Sequence, residues 1–182
     1  MRVFRKLLPA ERGKLRDHLL RLSAEDRSLR FAGALSEAAV AGYCDRIDWW
    51  RGYVVGCFVA GVLRGVAELR FVSGPFSARG EAAVSVETEW QDQGIGFELL
   101  RRALVIARNR SIRTISMICL LDNWRMRRIA ENLADLHMRA GEMEADIVVP
   151  LPTHLSLYEE AAADGFALLG AWLDGIPGDT RA

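Results

Sequence analysis

Residues 53–60, 62–72 and 82–88 are rich in valine and phenylalanine and are punctuated by Gly61 and the polar turn at 73–80. They read as three consecutive strands. The third runs into a short loop with two glycines, Gly94 and Gly96, and a helix begins at once. Over 96–109, Leu100, Ala103, Leu104 and Ala107 recur with helical spacing. Around this centre, 3–8 opens the chain as a strand. Leu15, Leu19 and Leu22 follow Pro9 at helical intervals, and 23–33 is polar and reads as irregular. Ser36 and Glu37 start a second helix with Val40, Tyr43, Cys44 and Ile47 on one face. Residues 113–121 form a nearly continuous apolar run, which predicts a strand buried on both faces.

Asp122 and Asn123 cap a further helix carrying Met126, Ile129, Ala130 and Leu133, and 142–150 reads as a last strand. The tail at 153–174 is amphipathic, with Leu155, Tyr158, Ala162, Phe166, Leu169 and Trp172 aligned. The order β-α-α-β-β-β-α-β-α-β, plus a C-terminal helix, predicts one mixed central β-sheet flanked by helices, in the α/β (α+β) class. At 182 residues, with no repeat or linker, the chain reads as a single domain: a core at about 3–150 and a helical extension at 151–182.

Composition closes off other classes. The chain is 51% hydrophobic and 26% charged, which excludes a disordered or collagenous protein. Its three cysteines, Cys44, Cys57 and Cys119, are scattered, as are His18, His137 and His154, so neither a disulfide scaffold nor a metal site is expected. Formal net charge is zero, and no stacking aromatics interleave with the arginines, so no nucleic-acid partner is expected. The most apolar run, 53–63, is too short to span a bilayer, and 1–14 lacks an apolar signal segment. A cytoplasmic location and no membrane partner are expected.

The strand–loop–helix junction carries the chemistry. The first amides of a helix lack partners and carry partial positive charge, and glycines let an anion approach the backbone. A dinucleotide fingerprint needs a third glycine where Leu99 stands, and a P-loop needs a lysine that is not within reach. What remains is Gln91-x-x-Gly94-x-Gly96 at a strand-to-helix junction. That pattern resembles the pyrophosphate loop of the GNAT superfamily of N-acetyltransferases, and the surrounding element order agrees over roughly residues 3–150. Leu29-Arg30-Phe31, Trp90-Gln91 and the run Asn123, Met126, Ile129, Ala130 are most similar to the bacterial Pat-like protein acetyltransferases.

The resemblance implies acetyl-CoA as cosubstrate and no metal. Backbone amides of Gln91, Asp92, Gln93, Gly94, Ile95 and Gly96 would hold its pyrophosphate, and Val84, Ser85 and Val86 would pair with its pantetheine arm. Asn123 would touch that arm, although a plain N-cap explains it equally. The reaction is acyl transfer from a thioester to an amine, on a protein lysine or a small molecule, and requires a base. Glu81, ten residues before Gln91, lies where protein acetyltransferases of the superfamily place theirs. Partial desolvation at the strand start would tune it; an exposed strand-end carboxylate is the plainer reading. Glu68 is a second candidate, while Glu87 and Glu89 read as solvated or loop-shaping.

The tyrosine that many members carry as general acid is replaced by Ala130, which leaves the acid unassigned; solvent or the Cys119 thiol are the alternatives. Among Arg101, Arg102, Arg108, Arg110, Arg125, Arg127 and Arg128, one or two would pair with the 3′-phosphate of CoA, the rest being solvated. Trp49 and Trp50 line an acceptor pocket or are simply buried. The tail helix packs on its own sheet or on a second subunit of a homodimer. The rival class is a non-catalytic acyl-CoA-binding sensor or regulatory module.

Overall fold

Seven strands form one sheet in the computed structural model of the chain, which describes residues 2–72, 78–120, 128, 135–139 and 142–174. The strands are β1 (Arg2–Lys6), β2 (Gly52–Val59), β3 (Val62–Phe71), β4 (Arg79–Val86), β5 (Thr114–Leu120), β6 (Asp135–Arg139) and β7 (Glu142–Val148). Their spatial order is β1-β2-β3-β4-β5-β7-β6. All neighbours are antiparallel except β4 and β5, which run parallel. The mixed sheet with helices on its faces is therefore as expected. β6 was not anticipated: it pairs with β7 from Asp135↔Asp146 to Arg139↔Glu142 as the last strand of the sheet. The helix expected after Asn123 lies outside the described residues.

Three helices, not two, link β1 to β2: α1 (Arg12–Arg21), α2 (Ala24–Phe31) and α3 (Glu37–Asp45). The segment expected to be irregular, 23–33, is thus mostly helical. No residue of α2 is buried, so it has no apolar stripe to betray it. It forms because Ser23 caps it, its side chain accepting from the Asp26 amide, and it ends at Ala32 in the left-handed conformation (φ 52°). α1 and α3 bury Leu15, Leu19, Val40 and Cys44 against Val54, Phe58, Leu63 and Val66.

The opposite face is covered by α4 (Ile95–Asn109), whose Ile95, Leu99, Leu100, Ala103, Ile106 and Ala107 are buried over β2, β3 and β4. Gly65 permits this close approach. A Cβ there would lie 3.1 Å from both Ile95 and Leu99 side chains. Cys44 and Cys57 are free and buried, and burial pushes each thiol up to about 11.

The C-terminal helix α5 (His154–Asp174) contacts β1 and α4. Its first two turns depart from the expected amphipathic reading. Leu155 and Tyr158, expected to face inward, are 75% and 73% exposed, whereas Ser156 and Glu160 are buried. Glu160 accepts from Lys6 Nζ at 2.5 Å, Asn109 Nδ2 at 2.7 Å and Arg110 Nη2 at 2.9 Å. The first turns of the helix are thus held by a buried carboxylate and its cations. Breaking such a group leaves its partners uncompensated, so Glu160→Ala should destabilise the fold by about 3 kcal/mol. The half-exposed Glu159→Ala should cost less than about 1 kcal/mol. Urea unfolding of the two variants measures the contrast; equal, small effects would mean that α5 docks by other contacts.

Candidate active site

β4 and β5 are neighbours over only three pairs, Arg79↔Thr114, Gly80↔Ile115 and Glu81↔Ser116. Beyond that point β4 continues to Val86 paired with β3 alone, and β5 continues to Leu120 paired with β7 alone. One backbone edge of 82–86, holding Val84, Ser85 and Val86, therefore has no strand partner among the described residues, in the middle of the sheet. Backbone groups in such a gap need water or another extended chain. The gap leads through a short 3-10 turn, Thr88–Trp90, to the loop ahead of α4. Asp92 (φ 56°) and Gly94 (φ 78°) both adopt left-handed conformations, and Gly94 caps α4. The first-turn amides of α4, from Ile95 and Gly96 onward, follow this loop without intrahelical partners, an arrangement suited to an anion.

The loop is tied down from two sides. Asp26 of α2 accepts from Gln91 Nε2 at 2.9 Å and from Thr88 Oγ1 at 2.6 Å. Gln91 Nε2 also donates to the Val86 carbonyl at 3.0 Å, and its buried Oε1 has no partner. On the other side Arg2 donates to the backbone and side-chain oxygens of Gln93. Gln91 therefore braces the loop with its side chain. The helix that was not expected, α2, supplies the residue that orients it.

Beneath the gap lies a buried polar cluster that residue-type reasoning missed. His18, fully buried on α1, sits 3.0 Å from Ser85 Oγ through Nε2 and 3.2 Å from Glu87 Oε1 through Nδ1. A carboxylate only accepts, so neutral His18 donates from Nδ1 to Glu87 and accepts the Ser85 hydroxyl at Nε2. Glu87 also receives Arg21 at 2.9 Å and Arg64 at 2.7 Å. Of the two expected readings, solvated or loop-shaping, the first does not hold: Glu87 is 6% exposed. Burial alone would raise its pKa, but hydrogen bonds from His18, Arg64 and Arg21 outweigh that and hold it at about 2. Burial lowers the His18 pKa from 6.5, against the opposing influence of Glu87. The pairing alternation of β3 and β4 was the available signal, since it places Ser85 and Glu87 on the face that α1 covers.

Past the reach of α1, the same sheet face opens into a cavity of about 560 Å³, bordered by the end of α2, Tyr43, Glu68, Arg70, Glu81 and Ser116. Glu68 is 3% exposed and fully engaged: Arg30 donates to one oxygen at 2.5 Å and Tyr43 to the other at 2.6 Å. Glu81 is exposed at the point where β4 leaves β5, so the desolvation expected for it is not found. It makes no hydrogen bond or ion pair among the described residues, which leaves it as the free carboxylate of this cavity. Asn123 and Ala130 lie outside the described residues, as does the Cys119 side chain. Trp49 is partly buried against the α1–α3 core, and Trp50 is 95% exposed. Four arginines of and after α4 are engaged: Arg101 with Glu98 and Glu159, Arg102 with Glu98, Arg108 with the Leu151 carbonyl, and Arg110 with Glu160.

The site is thus a parallel pair that parts at mid-sheet, with a helix beginning after the loop that follows. The sequence pattern of the acetyltransferase (GNAT) family matches residues 8–134, and the chain belongs to that family, whose members use acetyl-CoA. Its fold is similar to the GNAT domain of PAT from S. lividans (TM-score 0.69, 18% identity, 80% of this chain and 89% of that one). It is also similar to PaiA N-acetyltransferase from Thermoplasma acidophilum in complex with coenzyme A (TM-score 0.62, 16% identity, 81% and 99%). A mutant of the cAMP-binding acyltransferase from Mycobacterium smegmatis matches at TM-score 0.59 and 20% identity over 95% of this chain and 52% of that one. No curated protein matches. No helix among the described residues is long and apolar enough to cross a membrane.

The buried cluster makes stability pH-dependent in two stages. Unfolded His18 takes a proton near pH 6.5 and folded His18 only below that, so in between the unfolded chain binds more protons and stability falls as pH drops. A second loss follows between pH 4.5 and about 2, where Glu87 and Glu11, both held at about 2, become protonated. His18→Gln should remove the first stage and keep the second, as read by urea midpoints from pH 8 to 3.

Proposed function

We propose that the chain is an acetyl-CoA-dependent N-acetyltransferase acting on a primary amine, of a protein lysine or a small molecule. The observation that carries this reading is the unpaired β4 edge at 82–86, running from a free carboxylate, Glu81, to the helix-capping loop. In this reading the backbone of Val84, Ser85 and Val86 pairs with the pantetheine arm as an added strand would. Amides of Gln91, Asp92, Gln93, Gly94, Ile95 and Gly96 take the pyrophosphate. Asn123 stands as a further contact to the arm. The cosubstrate supplies an acetyl thioester, whose carbonyl is open to attack by an amine.

Glu81 is the base that removes a proton from the amine. It sits at the open end of the gap, beside the cavity that admits the acceptor, and forms no ion pair among the described residues. Glu68 is unsuited to that task because Arg30 and Tyr43 occupy both of its oxygens. The leaving thiolate is protonated from solvent, since the family tyrosine position holds Ala130.

Calorimetric titration with acetyl-CoA, with NAD and ATP as controls, should give micromolar binding for acetyl-CoA alone. Glu81→Gln should leave that affinity unchanged and reduce thiol release with amines by about 100-fold or more. Full activity in the variant would remove Glu81 as base. Tight acetyl-CoA binding with no turnover on any amine would instead support the non-catalytic sensor. Absence of binding by a folded sample would overturn the acetyltransferase reading.

A further inference from the structure

The cavity beside Glu81 carries an uneven set of charges. Cross-strand register puts Arg70 directly opposite Glu81, and Arg79 lies two residues earlier on β4, so all three side chains share one sheet face. The buried set of Glu68, Arg30 and Tyr43 is closed on itself. Arg70 stands outside it: its Nη2 is 3.7 Å from Glu68, beyond hydrogen-bond range, and the side chain is 48% exposed. The Arg70 guanidinium lies over the Tyr43 ring, 4.9 Å from its centroid, which orients the group and leaves its N–H donors open. Arg79 is 65% exposed and reaches only to 3.9 Å from Asp146. Two partly exposed arginines, each held only by a long ion pair and donating no hydrogen bond among the described residues, therefore flank the Glu81 carboxylate.

We propose that the acceptor is a small primary amine that carries its own carboxylate, an amino acid or a similar aminocarboxylate. This rests on the acetyltransferase reading above and names its substrate class. The amine sits at Glu81 and the carboxylate between Arg70 and Arg79. As diagonal neighbours across two strands, these arginines start roughly 7–8 Å apart, a span that converging guanidinium groups close around one carboxylate. A plain alkylamine or an isolated lysine side chain would leave both arginines with only their long ion pairs to Glu68 and Asp146, whereas the carboxylate of an aminocarboxylate can accept hydrogen bonds from both. A volume of about 560 Å³ suits a small molecule enclosed at the sheet. In the reaction the amine nitrogen forms a bond to the acetyl carbon and the carbon–sulfur bond breaks. The amine proton passes to Glu81 and on to solvent, and the thiolate takes a proton from solvent.

The test uses matched amines that differ only in the carboxylate: alanine against ethylamine, and 4-aminobutyrate against propylamine, with a lysine-containing peptide alongside. Amine binding is measured by calorimetry with CoA present, and turnover by thiol release. The acids should bind and react at least tenfold better than their partners. Arg70→Gln combined with Arg79→Gln should raise KM for the acids at least tenfold with little change in kcat, and Arg70→Lys should retain part of the preference. Equal binding of acid and alkylamine, a preferred lysine peptide, or a KM increase common to acids and alkylamines would each overturn the proposal. Loss of acetyl-CoA binding itself would overturn the acetyltransferase reading, whatever the amines do.

Discussion

After Glu81 pairs with Ser116, β4 and β5 part company, and every feature of the site is arranged along that divergence. A break in a central ladder leaves backbone donors and acceptors that cost about 1–3 kcal/mol each if buried without partners. The gap persists because the strands on either side are fully paired outward, β4 to β3 and β5 to β7. Between β4 and β5 the chain thus keeps a gap, with the loop that leads to α4 at one end and an open cavity at the other. A ligand that is extended in its middle and anionic at one end fits such a slot; a compact or cationic ligand does not.

Holding the slot open requires that β4 and the loop after it stay put, and charges rather than apolar contacts do most of this. Glu87 ends β4 under three donors, His18, Arg21 and Arg64, and Asp26 holds the next turn through Thr88 and Gln91. A buried carboxylate with one partner removed typically costs 3–5 kcal/mol, so these contacts act as fixed points rather than adjustable ones. His18, Arg21 and Asp26 come from the helices between β1 and β2, and Arg64 from β3. Those helices therefore fix the end of β4 and its loop as well as covering one face of the sheet.

The parts that were legible in the sequence share one property: their signal is local. Valine-rich runs gave the centre of the sheet, the Gly94–Gly96 spacing marked the loop, and Ser36 marked the start of α3, whose cap accepts from the Ala39 amide. What escaped depended on partners distant in sequence. α2 has no buried residue, and its worth lies in an aspartate that reaches 65 residues onward to Gln91. His18 looked isolated because Ser85 and Glu87 are 67 and 69 residues away. In α5 the periodicity of leucine and tyrosine suggested the inner face, but Lys6, Asn109 and Arg110 draw Glu160 inward instead. A helical wheel cannot weigh cations supplied by β1 and α4.

Three glutamates on one sheet face show how context, not residue type, divides the work. β4 turns Ala82, Val84 and Val86 into the apolar core under α4 and presents Glu81, Ser85 and Glu87 on the opposite side. Along that side cover by α1 is complete at Glu87 and gone at Glu81, while Glu68 on β3 lies beneath α2 and α3. Glu87 and Glu68 are buried under guanidinium donors, which fixes them as structural anions. Glu81, two turns of the pleat from Ser85, is exposed and accepts from no donor among the described residues. The same carboxylate is an anchor where the helices reach it and, in the proposed reaction, a base where they stop. In that reading the edge of the helical layer, more than the identity of any side chain, sets where the acceptor meets this sheet.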